Sequence, residues 1–423
     1  MRQVSPAHAA ASVQLPKAGR SPSAIWATMD EARQADVQWQ QGRVAALVYL
    51  PGDDVVAVAK EAYLRFFSEN GLSPRAFPSI DRFEREVVAM TAALLHGEHA
   101  LGNITSGGTE SIILALKIAR DKARAEHPEI TEPEIVLPET AHPAFNKGAH
   151  YLGLKAIRTP VGPDFQLDLD AYRDAVTDNT VLLVGSAPNY PFGMIDPISE
   201  MAEIAAERRL SFHVDACVGG YFLPFLERLG TPITPFDFRV PGVTTISADL
   251  HKFGFAARGA SVLLCRDADI YQYQGVRFTD WPSGIYSTPT LAGSRPGGAI
   301  AAAWAVMQYL GEEGYVRLTQ QAMRAATRLQ AGIRAIPGFQ VFGEPVMSVF
   351  AFGSPERDMA AVAAGMEARG WFVHPQRRPP GIHVMLSPGH DAFIDTYLAD
   401  LRAVVDLVDR GQIDGAGREA MYS

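Results

Sequence analysis

Cysteine is nearly missing from this chain of 423 residues, which holds only Cys217 and Cys265. Both fall in or beside apolar strand-like runs, so neither a disulfide framework nor a cysteine-rich metal site is implied, and a reducing cytoplasm is the simplest setting. Positive charge is also short: 38 Lys and Arg stand against 47 Asp and Glu, a net charge of −9. That balance argues against broad nucleic-acid binding, while leaving room for a local basic pocket. No long apolar run is present either. The best window, GGAIAAAWAVMQYLG from Gly297, is too short to span a bilayer and reads as a buried helix, so no stable membrane insertion is expected. The first 23 residues are rich in Ala, Pro and Ser without an apolar stretch and read as a mobile arm.

What the chain does have is size and alternation. Its length exceeds that at which single cores usually stop growing, so two lobes are expected. Ile25 to about Ser73 reads as a helical arm, giving an N-terminal segment of residues 1–73. Over residues 74–295 the apolar runs EIVLP, AIRTPV, TVLLVGSA, SFHVDA, TTISA and SVLLCR alternate with amphipathic stretches. This pattern predicts an α/β domain built on a large, mainly parallel sheet. Residues 296–423 open with a long helix near Gly298 and continue through FQVFG, SVFAFG, WFVHP and IHVML, interspersed with helical stretches, as a smaller α+β lobe.

Four short motifs carry the chemistry. LSFHVDA ends in Asp215 and VTTISADLHK ends in Lys252, each just past an apolar strand, so both side chains emerge at the C-terminal edge of a parallel sheet, where open α/β folds bind ligands. An acid that keeps a ring nitrogen protonated and an amine that forms a Schiff base are the two protein groups that pyridoxal phosphate chemistry requires. Upstream, TSGGTES (Thr105–Ser111) leads into a helix whose free N–H groups, with the Thr109 hydroxyl, suit a phosphate. His142, just past EIVLP, offers a flat ring to cover a cofactor face. Taken singly each motif has a plainer reading: a capping Asp, a solvated His-Lys pair, a helix capped by Thr109 or Ser106, a polar loop histidine. Their order and company favour the functional one.

WQQGRVAALVY, TSGGTESIILALKIARDKAR, AHPAFNKGAHYLG, FHVDACVGGYFLPFLERLG, FDFRVPGVTTISADLHKFGFA and DWPSGIYSTPTLAGSRPGG together resemble the sphingosine-1-phosphate lyase family, within the fold type I, group II decarboxylase-like pyridoxal phosphate enzymes. The resemblance implies pyridoxal 5'-phosphate as cofactor, Lys252 as its Schiff-base partner, Asp215 at the pyridine nitrogen, His142 on the ring, and Gly108 and Thr109 at the phosphate, with Ser247 and His251 as neighbours. It further implies a homodimer with shared sites, in which the N-terminal arm clasps the partner and Tyr286 and Ser294 reach the partner's cofactor. Pairing within the interface is an equal reading for Tyr286 and Arg295.

The implied reaction is retro-aldol cleavage of a phosphorylated long-chain amino alcohol to a fatty aldehyde and phosphoethanolamine, with Tyr49 near the substrate. Tyr49, the released Lys252 and the substrate phosphate all remain open as the base. Two departures bear on the substrate. Ser73 stands where the family has a histidine, and Arg258 where it has a lysine; Arg keeps the charge and gains a bidentate fork, and Arg75 is placed to stand in part for the missing imidazole. An amino-acid decarboxylase using the same Lys252, Asp215 and His142, or a non-catalytic relative that binds a phosphorylated amine, are the alternatives.

Overall fold

The computed structural model describes residues 13–415; part of the N-terminal arm, residues 1–12, lies outside them. Its centre is a seven-stranded sheet of β1 (Leu101–Thr105), β2 (Glu134–Pro138), β3 (Lys155–Thr159), β4 (Thr180–Ser186), β5 (Ser211–Asp215), β6 (Thr245–Ala248) and β7 (Ser261–Cys265), in the order β1-β7-β6-β5-β4-β2-β3. Neighbours from β3 through β6 pair in parallel. Every residue of β2, β4, β5, β6 and β7 is buried, which is why these segments read as continuous apolar runs: helices cover both faces of such a sheet.

Two features depart from the sequence reading. The chain reverses after β6 through residues 249–260 without a crossover helix, so β7 runs antiparallel to β6 and to β1. β1 was not among the strands expected, because LGNIT is half-exposed and carries a mixed pattern instead of an apolar run. Being antiparallel to an antiparallel strand, β1 points the same way as the parallel set, and its C-terminal end joins theirs at one sheet edge.

At the N-terminus, the helix Pro22–Arg33 is capped by Ser21 and buries none of its residues. The helix Asp53–Arg65 is different: Val55 and Ala59 enter the main core, and Asp54 accepts a 2.9 Å hydrogen bond from the Tyr309 hydroxyl. An exposed hairpin of β8 (Val276–Phe278) and β9 (Tyr286–Thr288) precedes the helix Gly297–Arg334. That helix bends at Gly311, whose φ of 54° and ψ of −172° suit glycine. Ile300 to Ala322 belong to the core under the large sheet, and Ala325 to Ile333 to a second core. The second core lies under a four-stranded antiparallel sheet, β10 (Gln340–Val341), β11 (Val349–Gly353), β12 (His374–Arg377) and β13 (Pro380–Met385), in the order β10-β11-β13-β12. FQVFG and WFVHP contribute only short strands, since Phe339, Trp371 and Val373 spend their side chains on this core outside the ladder. Among the described residues no helix is long and apolar enough to cross a membrane.

Candidate active site

The ends of β1, β2, β4, β5 and β6 open onto a cavity of about 440 Å³ that contains Ser106 to Glu110, His142, Tyr190, Asp215, Cys217, Asp249, His251 and Lys252. Asp215 is the last residue of β5 and stands opposite Ser247 of β6. Its Oδ1 accepts hydrogen bonds from the Cys217 N–H at 3.0 Å and the Ser247 hydroxyl at 3.3 Å. Behind Ser247, His213 Nε2 lies 3.2 Å away, and His213 Nδ1 lies 2.9 Å from the Thr245 hydroxyl. One direction of donation satisfies every member: Thr245 donates to His213, His213 Nε2–H to Ser247, and Ser247 to Asp215. Burial holds His213 down at about 4, so the ring is neutral and can fill this role.

Lys252 lies in the turn after β6, with Nζ 2.9 Å from Asp249 Oδ2. Burial alone would lower the amine, but the Asp249 carboxylate outweighs it and holds the lysine well above its ordinary range. Asp249 itself is buried, its second oxygen without a hydrogen-bond partner. His251 is pushed down to about 4 by burial, and its Nδ1 accepts from the Ala260 N–H at 3.3 Å.

The helix Gly108–Glu126 begins at the opposite wall. It has no side-chain cap, so the reading in which Thr109 or Ser106 merely caps it does not hold. Ser106 instead donates from both N–H and hydroxyl to Glu110 Oε2 at 2.7 and 2.6 Å, while Leu291 N–H donates to Glu110 Oε1 at 2.9 Å. A Cβ on Gly108 would sit 2.7 Å from Cys217 Sγ and 2.8 Å from Asp249 Oδ2, so only glycine lets the helix start approach so closely. His142 accepts from the Ala144 N–H at 3.1 Å through Nδ1, which puts its proton on Nε2; burial lowers it, with the Asp215 charge opposing.

A second cavity, of about 620 Å³, shares His251 with the first and is lined mostly by apolar groups, among them Trp39, Val48, Tyr49, Val56, Tyr63 and Phe255. Tyr49 stands edge-on to Phe253 at 5.2 Å and its hydroxyl donates to Met385 Sδ at 3.3 Å. The Arg258 guanidinium lies 5.4 Å from the Tyr49 ring centre and donates to the Leu47 carbonyl.

The pyridoxal-dependent decarboxylase conserved domain matches residues 33–354. The chain is 42% identical over 420 residues to a sphingosine-1-phosphate lyase of Oryza sativa subsp. japonica, covering 97% of this chain and 77% of the relative. It is 40% identical over 413 residues to sphingosine-1-phosphate lyase 1 of Rattus norvegicus, covering 96% and 72%. The solved structure of a Burkholderia pseudomallei sphingosine-1-phosphate lyase superposes with a TM-score of 0.91 at 40% identity, over 96% of this chain and 95% of that one. This chain is a member of the sphingosine-1-phosphate lyase family.

Its cofactor is therefore pyridoxal 5'-phosphate, and the residues present fit it. The uncapped helix start behind a glycine that a Cβ would obstruct suits a phosphate. The carboxylate wired through Ser247 suits a ring N–H, and Lys252 faces the same space. The pocket thus gathers Gly108, Thr109, His142, Asp215, His251 and Lys252, with Ser247 behind Asp215; Tyr49 and Arg258 line the adjoining groove.

Three residues that the family resemblance put at the site, Ser73, Tyr286 and Ser294, line neither cavity. They sit on an outer face where the chain at Gly71 bonds to the Arg295 carbonyl at 2.9 Å and a Cβ on Gly293 would be 3.4 Å from the Tyr286 hydroxyl. Arg75 is exposed and also lines neither cavity. Arg295 is buried in a bidentate pair with Glu84 of the same subunit and donates to the Ile104 and Gly71 carbonyls. Asp249, Cys217, Glu110 and Tyr190 join the pocket without having been singled out from sequence. Asp249 was within SADLHK, where a carboxylate three residues before a lysine is the usable signal.

Proposed function

We propose that this enzyme is a pyridoxal phosphate-dependent carbon–carbon lyase that cleaves a phosphorylated long-chain amino alcohol of the sphingosine 1-phosphate type to a fatty aldehyde and phosphoethanolamine. The observation that carries the reading is the apolar groove beside the Lys252 pocket, joined to it at His251: a chain of methylenes fits the one and an amine-bearing head the other. Bound cofactor supplies the electron sink for the bond broken at the α-carbon. Lys252 holds the cofactor through Nζ, Asp215 keeps a proton on the ring nitrogen, and His142 closes one ring face against water. Arg258, at the groove, takes the substrate phosphate with a charge-assisted contact. Tyr49, on the wall of the adjoining groove, and the freed Lys252 amine in the cofactor pocket are the groups on this chain that could take the β-hydroxyl proton. When that proton leaves, Cα–Cβ breaks, the oxygen becomes the aldehyde, and the α-carbon takes a proton in turn. Mass spectrometry of products from phosphorylated and unphosphorylated amino alcohols and amino acids tests this: a long-chain aldehyde with phosphoethanolamine is expected, whereas carbon dioxide from an amino acid would make the enzyme a decarboxylase.

The working form is a cytoplasmic homodimer. Trp26 and Met29 on the helix Pro22–Arg33, and Phe278, Trp281 and Ile285 on the β8–β9 hairpin, are each more than half exposed, apolar surface that a second copy would cover. Such a dimer brings Tyr286 and Ser294 to the partner's cofactor. Mixed dimers of Lys252→Ala with a Ser294-defective subunit should regain one competent site; verified mixed dimers without any activity would refute the sharing.

A further inference from the structure

We propose that His383, on the small-lobe sheet, is a positioning residue for the cofactor pocket: acting through Tyr190, it fixes the wall beside the His142 ring. The proposal rests on the reading of His142 as the residue that covers the cofactor.

Tyr190 follows β4 and lines the cofactor cavity together with His142, whose ring it meets edge-on at 6.5 Å. Its other side belongs to the small lobe. The His383 ring is stacked on the Tyr190 ring at 4.2 Å with 24° between planes, and His383 Nε2 lies 2.8 Å from the Tyr190 carbonyl oxygen. A carbonyl only accepts, so Nε2 carries the proton. Nδ1 is then the bare nitrogen, and it is buried without a hydrogen-bond partner. Burial pushes this histidine down to about 3, which keeps the ring neutral.

An unpaired buried nitrogen is unfavourable, and an apolar residue on β13 would remove it. What a leucine could not supply is the bond to the Tyr190 carbonyl. Holding that carbonyl is therefore the property that distinguishes histidine here from the apolar residues around it on β13, Ile382 and Val384.

The segment carrying Tyr190 is tied to the small lobe at a second point: Val346 N–H donates to the Gly193 carbonyl at 2.9 Å, and a Cβ on Gly193 would lie 1.8 Å from the Val349 carbonyl oxygen. It is tied to the large sheet where Ser186 N–H donates to Asp196 at 2.8 Å. The loop spans the two lobes, so a shift of the small-lobe sheet is passed directly to Tyr190.

The test uses holoenzyme of His383→Leu, His383→Gln, His142→Leu and the His142→Leu/His383→Leu double variant. The readouts are the rate of cofactor loss and the visible circular dichroism of the bound cofactor, neither of which a general loss of stability would move in this pattern. His383→Leu should speed cofactor loss by about tenfold and weaken the dichroic band, in line with one hydrogen bond lost. His383→Gln, whose amide reaches the position of Nε2, should stay within about twofold of wild type. The double variant should be no worse than His142→Leu, because both changes act on one ring. Wild-type behaviour of His383→Leu, or additive effects in the double variant, would overturn the proposal. An unchanged His142→Leu enzyme would instead remove the reading of His142 on which it stands. If His383→Leu does not fold, His383→Gln against His383→Asn gives the same contrast, since the shorter amide cannot reach the carbonyl; equal behaviour of the two would count against the proposal.

Discussion

Asp215 offers a charge to the cofactor pocket and Arg258 offers one to the groove beside it, and the two are held in opposite ways. Asp215 is buried at a strand end and backed by Ser247, His213 and Thr245, all on β5 or the adjoining β6. Arg258 is exposed, lies in the 249–260 turn, and is held by one carbonyl and the face of Tyr49. A cofactor is the same at every turnover and can be met by a preorganised group. A substrate phosphate arrives and leaves, and a long side chain on a turn can follow it. Losses at the Asp215 end should therefore be indifferent to substrate, and losses at the Arg258 end should depend on it.

The largest effect is expected for Lys252→Ala, which should lower turnover by about a thousandfold or more for every substrate while the protein remains folded. The absence of the visible band of the lysine-bound cofactor checks it; a wild-type spectrum in that variant would move the attachment to another amine. Asp215→Asn keeps the shape and removes the charge that holds the ring nitrogen protonated, and should reduce kcat by roughly a hundredfold or more, equally for phosphorylated and unphosphorylated substrates. Unequal losses would break the contrast between the two ends.

Arg258→Ala should raise KM for a phosphorylated substrate by about ten- to a hundredfold, the worth of one charge-assisted contact, with little change for the unphosphorylated analogue. Steady-state kinetics on both compounds decides it. Equal effects would mean that Arg258 supports Tyr49 and does not meet the phosphate.

The smallest effect concerns stability and pH. His213 and His251 are held at about 4 and His383 at about 3, all by burial, whereas unfolded they would titrate near the ordinary 6.5. Between those values the unfolded chain binds more protons, so stability present above about pH 6.5 is lost as the pH falls towards 4. Asp196, pushed up to about 7 by burial, works the other way, because below that value the folded state keeps a proton that the unfolded chain has released. His142, His374 and His390 are lowered by burial as well, so the histidines outnumber the one carboxylate and the urea midpoint should be lower at about pH 5 than at about pH 7.5. An unchanged midpoint would show that these rings are better hydrated than their burial implies.

The pocket was largely legible because its residues sit at the ends of strands buried on both faces, and such strands announce themselves as apolar runs followed by Asp215, His142 or the turn to Lys252. β1 was not, since LGNIT lies towards the sheet edge and lacks that run. Asp249 carries a weaker signal, its spacing from Lys252, because the contact between them depends on a turn whose shape the sequence does not state. Tyr190 and His383 are 193 positions apart, and only the packing of one lobe on the other brings them together. Ser73, Tyr286 and Ser294 are different: only the family resemblance put them at the site, and within one chain they line neither cavity.

The helix Gly297–Arg334 has a consequence for how the molecule comes apart. One end of it fills the core under the large sheet and the other end fills the core under the small one. Neither lobe can melt without stripping apolar cover from a helix that the other needs, so the two share a single cooperative transition, and heat or denaturant removes the active site and the small-lobe sheet together.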